Sequence, residues 1–244
     1  MSWFSDLRIL YHMVFSGSRG DTHKDRLESF YSGQAKGYDD FRKRLLKGRE
    51  ELWNKMELRD GLIWVDIGGG TGANLENFGD DITRLGKVYV VDLSESLLKI
   101  ADERIKAHGW TNVETVCADA TTWVPPEKEV DVVSFSYSLT MIPDWFAAID
   151  HAKSLLKSGG RVGVVDFYVS RKHPEEGRAK HGWATRTFWP AWFNRDNVYP
   201  TCDHVPYLTH HFDTVSLEEC RGRIPWHPFF WWKMPYYIFV GTKK

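Results

Sequence analysis

One glycine cluster and three acids have the types and spacing to hold a nucleoside-like ligand. The stretch "VDIGGGTGAN" sets Gly68, Gly70 and Gly72 just after an acid, Asp66. Glycines let a chain turn tightly and let a ligand approach the main chain. Asp92 follows Gly72 by twenty residues, with Leu93 beside it, and Asp119 and Ala120 stand in "CADA". An ionised carboxylate is a two-oxygen acceptor, suited to a pair of neighbouring hydroxyls. A glycine pattern alone fits several nucleotides. A nicotinamide-binding unit also has an acid at its second strand end, yet it accounts for neither Asp66 nor "CADA".

These residues need strand ends to carry them. "LIWVDIG" reads as a short buried parallel strand ending in glycine, and "KVYVVDL" as a second. "NVETVCADA", "VDVVSFSYS" and "RVGVVDFYV" make strands three to five. "GANLENFGDDI" continues the glycine turn as helix. "SESLLKIADERIKAHG" is a helix capped by Ser94 and closed by Gly109. "PDWFAAIDHAKSLLKSGG" is a helix from a proline to paired glycines. Strands alternating with helices of this length specify an α/β doubly wound sheet. "FDTVSLEEC" and "YYIFVGTKK" read as closing strands. Residues 1–60 read as N-terminal helices, 61–169 as the ligand-binding core, 170–211 as a His/Trp-rich insertion after strand five, and 212–244 as the close of a single domain.

In these motifs the chain resembles the class I S-adenosylmethionine-dependent methyltransferases, over roughly residues 61–169. The resemblance implies a seven-stranded Rossmann-like sheet and S-adenosyl-L-methionine as cofactor. It implies that Asp66 and the turn Gly68 to Gly72 hold the methionine end, with Tyr38 closing over it. Asp92, with Leu93, would take the ribose, and Asp119 with Ala120 the adenine edge. In this fold the residues after strand four face the transferring methyl. Here they include Ser136, Tyr137 and Thr140, of which Ser136 is assigned to the cofactor side. An aligned acceptor and exclusion of water suffice for much of the rate. No metal is required. His210 and His211 would face opposite ways on a strand, which disfavours a metal pair.

"FSYSLTMIPDWFAAIDHA", "TRTFWPAWFNRDNV" and "DHVPYL", with "RGDTHKDRLESFYSGQAKGYDDFRKRLLKGREELW", extend the likeness. They resemble the methyltransferase portion of betaine-lipid synthases. That family implies three successive N-methylations of diacylglyceryl-homoserine to diacylglyceryl-trimethylhomoserine. In many relatives the portion is fused to an aminocarboxypropyl-transferase domain, which would here be a fused or separate partner. The chemistry is consistent with the residues. A primary amine near pKa 10 has no lone pair to attack with until it loses a proton. Tyr137 and His204 are the candidates for that proton. Arg186, with Arg171 as second choice, is the candidate cation for the homoserine carboxylate. Trp183, Trp189, Trp192 and Tyr207 are candidate walls, since aromatic faces bind quaternary cations. Another amine or a small hydroxyl, such as phosphoethanolamine, is an alternative acceptor, and a non-catalytic cofactor-binding module of a larger synthase is a third reading.

Bulk composition narrows the partners. The 244 residues carry 32 Lys plus Arg against 33 Asp plus Glu, which gives no broad polyanion-binding surface and does not favour nucleic acid. Three widely spaced cysteines fit a reducing compartment. No apolar run approaches the ~20 residues of a membrane span. Aromatic residues gather late, however: 16 of the last 64 residues, among them Trp226, Phe229, Phe230, Trp231 and Trp232. Rings flanked by prolines read as a loop that touches a membrane surface. The apolar face Trp3, Leu7, Leu10 and Val14 would either dock beside it or act as a lid over the cofactor. The expectation is a peripheral enzyme on the cytoplasmic face of a membrane, such as the endoplasmic reticulum.

Overall fold

The computed structural model describes residues 45–194, 197–223 and 233–244. Tyr38, the N-terminal apolar face and the aromatic loop at 224–232 lie outside them. Seven strands form one sheet: β1 Ile63–Ile67, β2 Lys87–Asp92, β3 Val113–Cys117, β4 Val130–Ser136, β5 Leu156–Phe167, β6 Phe212–Gly222 and β7 Met234–Lys243. Their order is β3-β2-β1-β4-β5-β7-β6. β1 pairs in parallel with β2 and β4, β2 with β3, and β4 with β5. Only β7 runs the other way, between β5 and β6. Strands β1 to β5 therefore all end on one side of the sheet, where Asp66, Gly68, Gly70, Gly72, Asp92 and Asp119 lie at or just beyond the strand ends.

Helices cover both faces, as the near-continuous apolar strands demand. α1 Arg49–Lys55, α2 Glu95–His108 and α4 Trp183–Phe193 contribute to one apolar layer, together with Trp64, Val88, Val90 and Val132. Trp53, Trp64 and Phe78 lock it, with ring centroids 4.8–5.2 Å apart. α3 Trp145–Leu155 and α5 His204–His211 cover the other face, against Val65, Val133, Phe135 and Phe239. α2 begins where the Ser94 hydroxyl accepts from the Leu97 amide and stops at Gly109, φ 68°. Such a cap contributes roughly 1 kcal/mol.

Three expectations change. The segment after the glycine turn is a 3-10 run, Ala73–Arg84, broken at Gly79 (φ 54°, ψ −136°), not one continuous helix. The helix expected to reach Gly159 and Gly160 ends at Leu155, because β5 already starts at Leu156. Its register on β4 then jumps from Val130↔Leu156 to Val132↔Arg161 around those glycines. His210 and His211 close helix α5, so the alternating-strand argument does not apply to them.

The insertion after β5 folds back onto the strand ends. Tyr168 bridges Thr201, and the Tyr199 amide donates to the Thr140 carbonyl at 2.7 Å. Ser170 and His181 clasp its base: the Ser170 amide donates to His181 Nδ1, and the His181 amide to Ser170 Oγ. No helix among the described residues is long and apolar enough to cross a membrane.

Candidate functional site

The glycine turn wraps the ends of β1 and β2. The amides of Gly68 and Gly69 both donate to the Val91 carbonyl, and the Gly70 amide to Asp92 Oδ2 at 2.9 Å. The Ser94 amide takes Asp92 Oδ1, also at 2.9 Å. Asp92 and Leu93 are half-buried, so the carboxylate is held by the backbone and still reaches the cleft. At the end of β3, Asp119 is exposed and Ala120 half-buried. Asp119 Oδ1 accepts from the Thr121 amide and hydroxyl, which turns the chain sharply there. Three acids thus stand on three adjacent strand ends, as the motifs predict.

Asp66 anchors a buried polar chain. Trp64 Nε1 donates to Ser134 Oγ, Ser134 Oγ to Asp66 Oδ1, and Asn74 Nδ2 to Asp66 Oδ2. Ser136 Oγ then donates to Asn74 Oδ1 at 3.4 Å. Asn74 and Ser134 were not picked out from sequence. A polar side chain in the apolar run of β4 was the available signal for Ser134. Burial lifts the Asp66 pKa to about 6, against the opposing hydrogen bonds of Asn74 and Ser134 and the charge of Arg49. A cationic group placed beside Asp66 would restore its ionised form. This donor set fits an ammonium at Asp66, a diol at Asp92 and a polar ring edge at Asp119.

The raised pKa has a stability consequence. The folded protein holds this proton more tightly than the unfolded chain does. The gain is therefore complete below the ordinary carboxylate pKa of 3.8 and is lost as pH rises through about 6. Relative to Asp66→Asn, the ligand-free wild type should lose up to about 3 kcal/mol between pH 4 and pH 8. Urea denaturation of both proteins at the two pH values reads this difference; a difference independent of pH would place the Asp66 pKa at its ordinary value.

On the acceptor side the structure separates residues that the sequence grouped. Tyr137 follows β4 in the left-handed region, φ 56°. Its buried ring lies 4.5 Å from Phe167 and under the Arg49 guanidinium, and its hydroxyl donates to the Lys47 carbonyl. Phe167 stacks on Phe193, and Phe193 on Trp189. His204 starts α5 on the other face, edge-on to Trp145 and near Tyr237. Both His204 ring nitrogens are buried without a partner, and burial drives its pKa down to about 3. Such an imidazole stays neutral and is a poor proton acceptor near pH 7, so the sheet divides the Tyr137–His204 pair expected from sequence.

The aromatic wall is divided as well. Trp189 is core and Trp192 packs beside it, Trp183 is 78% exposed, and Tyr207 stacks on His211 and donates to Asp150 on the opposite face. Arg186 is half-buried on α4; burial, with the charges of Arg221 and Arg186, lowers the His181 pKa to about 4. Arg171, the second choice, is ion-paired with Asp203 at 2.9 Å. Thr140 and Asp166 come together where no sequence signal joined them: Thr140 Oγ1 donates to Asp166 Oδ1 at 2.7 Å.

Comparison with known proteins agrees with this fold. The family model for the ubiE/COQ5 methyltransferase family matches residues 21–183. The chain is 26% identical over 162 residues to the ubiquinone/menaquinone biosynthesis C-methyltransferase UbiE of Shewanella woodyi, covering 64% of each. It is 29% identical over 149 residues to the demethylmenaquinone methyltransferase of Geobacillus stearothermophilus, covering 61% of this chain and 59% of that protein. The chain thus spans about three fifths of the length of these curated relatives. Among solved structures, a SAM-dependent methyltransferase from Aquifex aeolicus aligns with TM-score 0.57, 16% identity, and coverage of 88% of this chain and 99% of that one. The phosphoethanolamine N-methyltransferase 2 of Haemonchus contortus, in complex with S-adenosyl-L-methionine, aligns with TM-score 0.68 and 14% identity, covering 92% of this chain and 60% of that one. At such identities the likeness shows the fold, a Rossmann-like class I methyltransferase sheet.

Proposed function

The chain belongs to the ubiE/COQ5 methyltransferase family, and on that premise we propose that it methylates the amine of a lipid head group with S-adenosylmethionine, most specifically the amine of diacylglyceryl-homoserine, three times in succession. The carrying observation is where the unmatched part of the chain folds. The family match stops at residue 183, before most of α4. The following segment docks on the turn after β4 through Tyr199 and Thr140, and stacks Phe193, backed by Trp189, onto Phe167, which lies against Tyr137. Two of the four stretches that resemble betaine-lipid synthases, "TRTFWPAWFNRDNV" and "DHVPYL", lie in this segment, and the other two fall almost wholly within the family match. The segment proposed to cover the acceptor end thus lies beyond the family match at residues 21–183.

The residues divide the work along the strand ends. Asp66, the glycine turn, Asp92 and Asp119 with Ala120 would hold the cofactor. When bound, its sulfonium supplies a methyl group already activated for transfer. Apolar rings around Tyr137 exclude water and favour the neutral amine, which alone has a lone pair. The same rings suit the quaternary product. Arg186, at the start of the same segment, is the proposed partner of the head-group carboxylate. A diacyl acceptor would bring the enzyme to a membrane surface as a peripheral protein, and an aminocarboxypropyl-transferase domain or partner would supply the acceptor.

The relatives' names favour a second reading, C-methylation of a reduced quinone. One assay separates the two. Purified protein with methyl-labelled cofactor is offered diacylglyceryl-homoserine, a demethylated menaquinol and phosphoethanolamine, and products are resolved by mass spectrometry. The expected result is mono-, di- and trimethylated homoserine lipid. Label in the quinol alone would overturn the amine reading, and label in none would leave a cofactor-binding module.

A further inference from the structure

The cofactor residues and the ring stack leave one buried acid without a part. Asp166 lies near the end of β5 and is fully buried. Thr140 donates to it twice, from Oγ1 at 2.7 Å and from its amide at 3.1 Å, and the Phe167 amide donates at 2.8 Å. These donors are neutral, and no cation of the described residues forms an ion pair with it. The titratable groups that feel its charge are Tyr137, at the end of β4, and Tyr237, its register partner on β7; both are buried phenols. A carboxylate buried without a countercharge is unfavourable as an anion and easily protonated.

Thr140 sits on the turn after β4, the turn that also carries Tyr137, and its carbonyl is fixed by Tyr199 of the insertion. Its hydroxyl is thus a polar link between that turn and the acid behind it. We propose that Thr140 and Asp166 together take up the proton that the methyl acceptor must lose, with Asp166 as a positioning residue acting through the Thr140 hydroxyl. This inference rests on the methyl-transfer reading, although it does not depend on which acceptor is used.

The step balances. The acceptor ammonium gives a proton to Thr140 Oγ1 while the Thr140 hydroxyl proton passes to the Asp166 carboxylate, leaving a neutral amine and a carboxylic acid. The nitrogen lone pair then forms the new N–C bond, and the S–C bond breaks with its electron pair left on sulfur. Each later round sheds one more N–H proton the same way, after the Asp166 proton has returned to the cleft through the Thr140 hydroxyl. A hydroquinone acceptor must lose a proton too, so the same pair serves it. Burial places the Asp166 pKa at about 7, where one residue can both accept and release a proton. His204 remains neutral and the Tyr137 phenol stays protonated, so neither competes.

The test combines turnover with a readout that needs no acceptor. Thr140→Val and Asp166→Asn should each lower kcat by about 100-fold or more, with cofactor Kd within about threefold of wild type. The double variant should be no worse than either single one, and Thr140→Ser should keep most of the activity. Infrared difference spectra of the wild type between pH 6 and pH 8 should show a protonated-carboxyl band that is clearly weaker in Asp166→Asn, the remainder belonging to Asp66 and lost in Asp66→Asn. Thr140→Val guards against a folding defect in the acid variant, since it leaves the carboxylate and its amide donors in place. Turnover within about threefold of wild type in either single variant overturns the proposal, as does a band of undiminished amplitude in Asp166→Asn. If the wild type methylates a hydroquinone and no amine, the amine reading falls, and the same variants are compared on the hydroquinone.

Discussion

Replacing Asp92 by alanine is expected to weaken cofactor binding by roughly 100-fold to 10,000-fold, the largest loss for any single side chain at the cleft. The carboxylate joins two strand ends: Oδ2 receives the Gly70 amide of the glycine turn, and Oδ1 the Ser94 amide that opens α2. A carboxylate has about four lone-pair sites, so beside the two amides Asp92 is suited to accept from ribose hydroxyls. Two hydrogen bonds to an ionised group are worth about 3–6 kcal/mol together, which sets the expected range. Asp92→Asn keeps one acceptor oxygen and should fall between wild type and alanine. Asp119→Ala should cost only a few-fold, because Asp119 is exposed and its Oδ1 already serves Thr121. Titration calorimetry with S-adenosylmethionine and S-adenosylhomocysteine reads all three. Binding by Asp92→Ala within about threefold of wild type would show that the ligand does not use this strand end.

The contrast between Asp92 and Asp166 shows what a sequence can carry. Asp92, Asp66 and the glycines act through the geometry of a strand end, and strand ends are written locally, as apolar runs that stop at glycine or at a cap. Ser94 and Gly109 were legible for the same reason, since a helix terminus is satisfied by its own neighbours in sequence. Asp166 and Thr140 lie 26 residues apart and meet only because β4 and β5 are paired neighbours. No local pattern announces that meeting. Strands buried on both faces also lose the alternation that would tell which face a side chain takes. Nor does any local pattern say that α4 packs on one face of the sheet and α5 on the other, which is why the sequence groups Tyr137 with His204 and Trp189 with Tyr207. The insertion hid its two helices for another reason: Pro190 and Pro206 inside them and a dense run of rings masked the helical period.

Gly68→Ala should damage both halves of the site at once, and this is the sharpest test of how they are joined. Gly68 has φ 68°, where a side chain alone costs roughly 1–2 kcal/mol. A methyl group there would also lie 2.4 Å from the Ser138 Cβ, a distance that something must move to relieve. Ser138 cannot move freely, because its hydroxyl donates to the Ile67 carbonyl at 2.8 Å and its own carbonyl receives the Met141 and Ile142 amides. The cofactor turn and the turn that carries Tyr137 and Thr140 are thus in contact through one missing side chain. Pushing them apart should lower Tm by about 5–15 °C, weaken the cofactor at least about tenfold, and reduce kcat beyond what saturating cofactor restores. Gly109→Ala separates strain from contact: its φ is also 68°, but nothing lies within 4 Å of the added carbon. It should lose only about 1–2 kcal/mol of stability and leave affinity and kcat unchanged. Thermal unfolding, calorimetry and turnover of the two variants side by side decide the matter. Equal behaviour would mean that backbone strain, and not the Gly68–Ser138 contact, is all that the glycine provides.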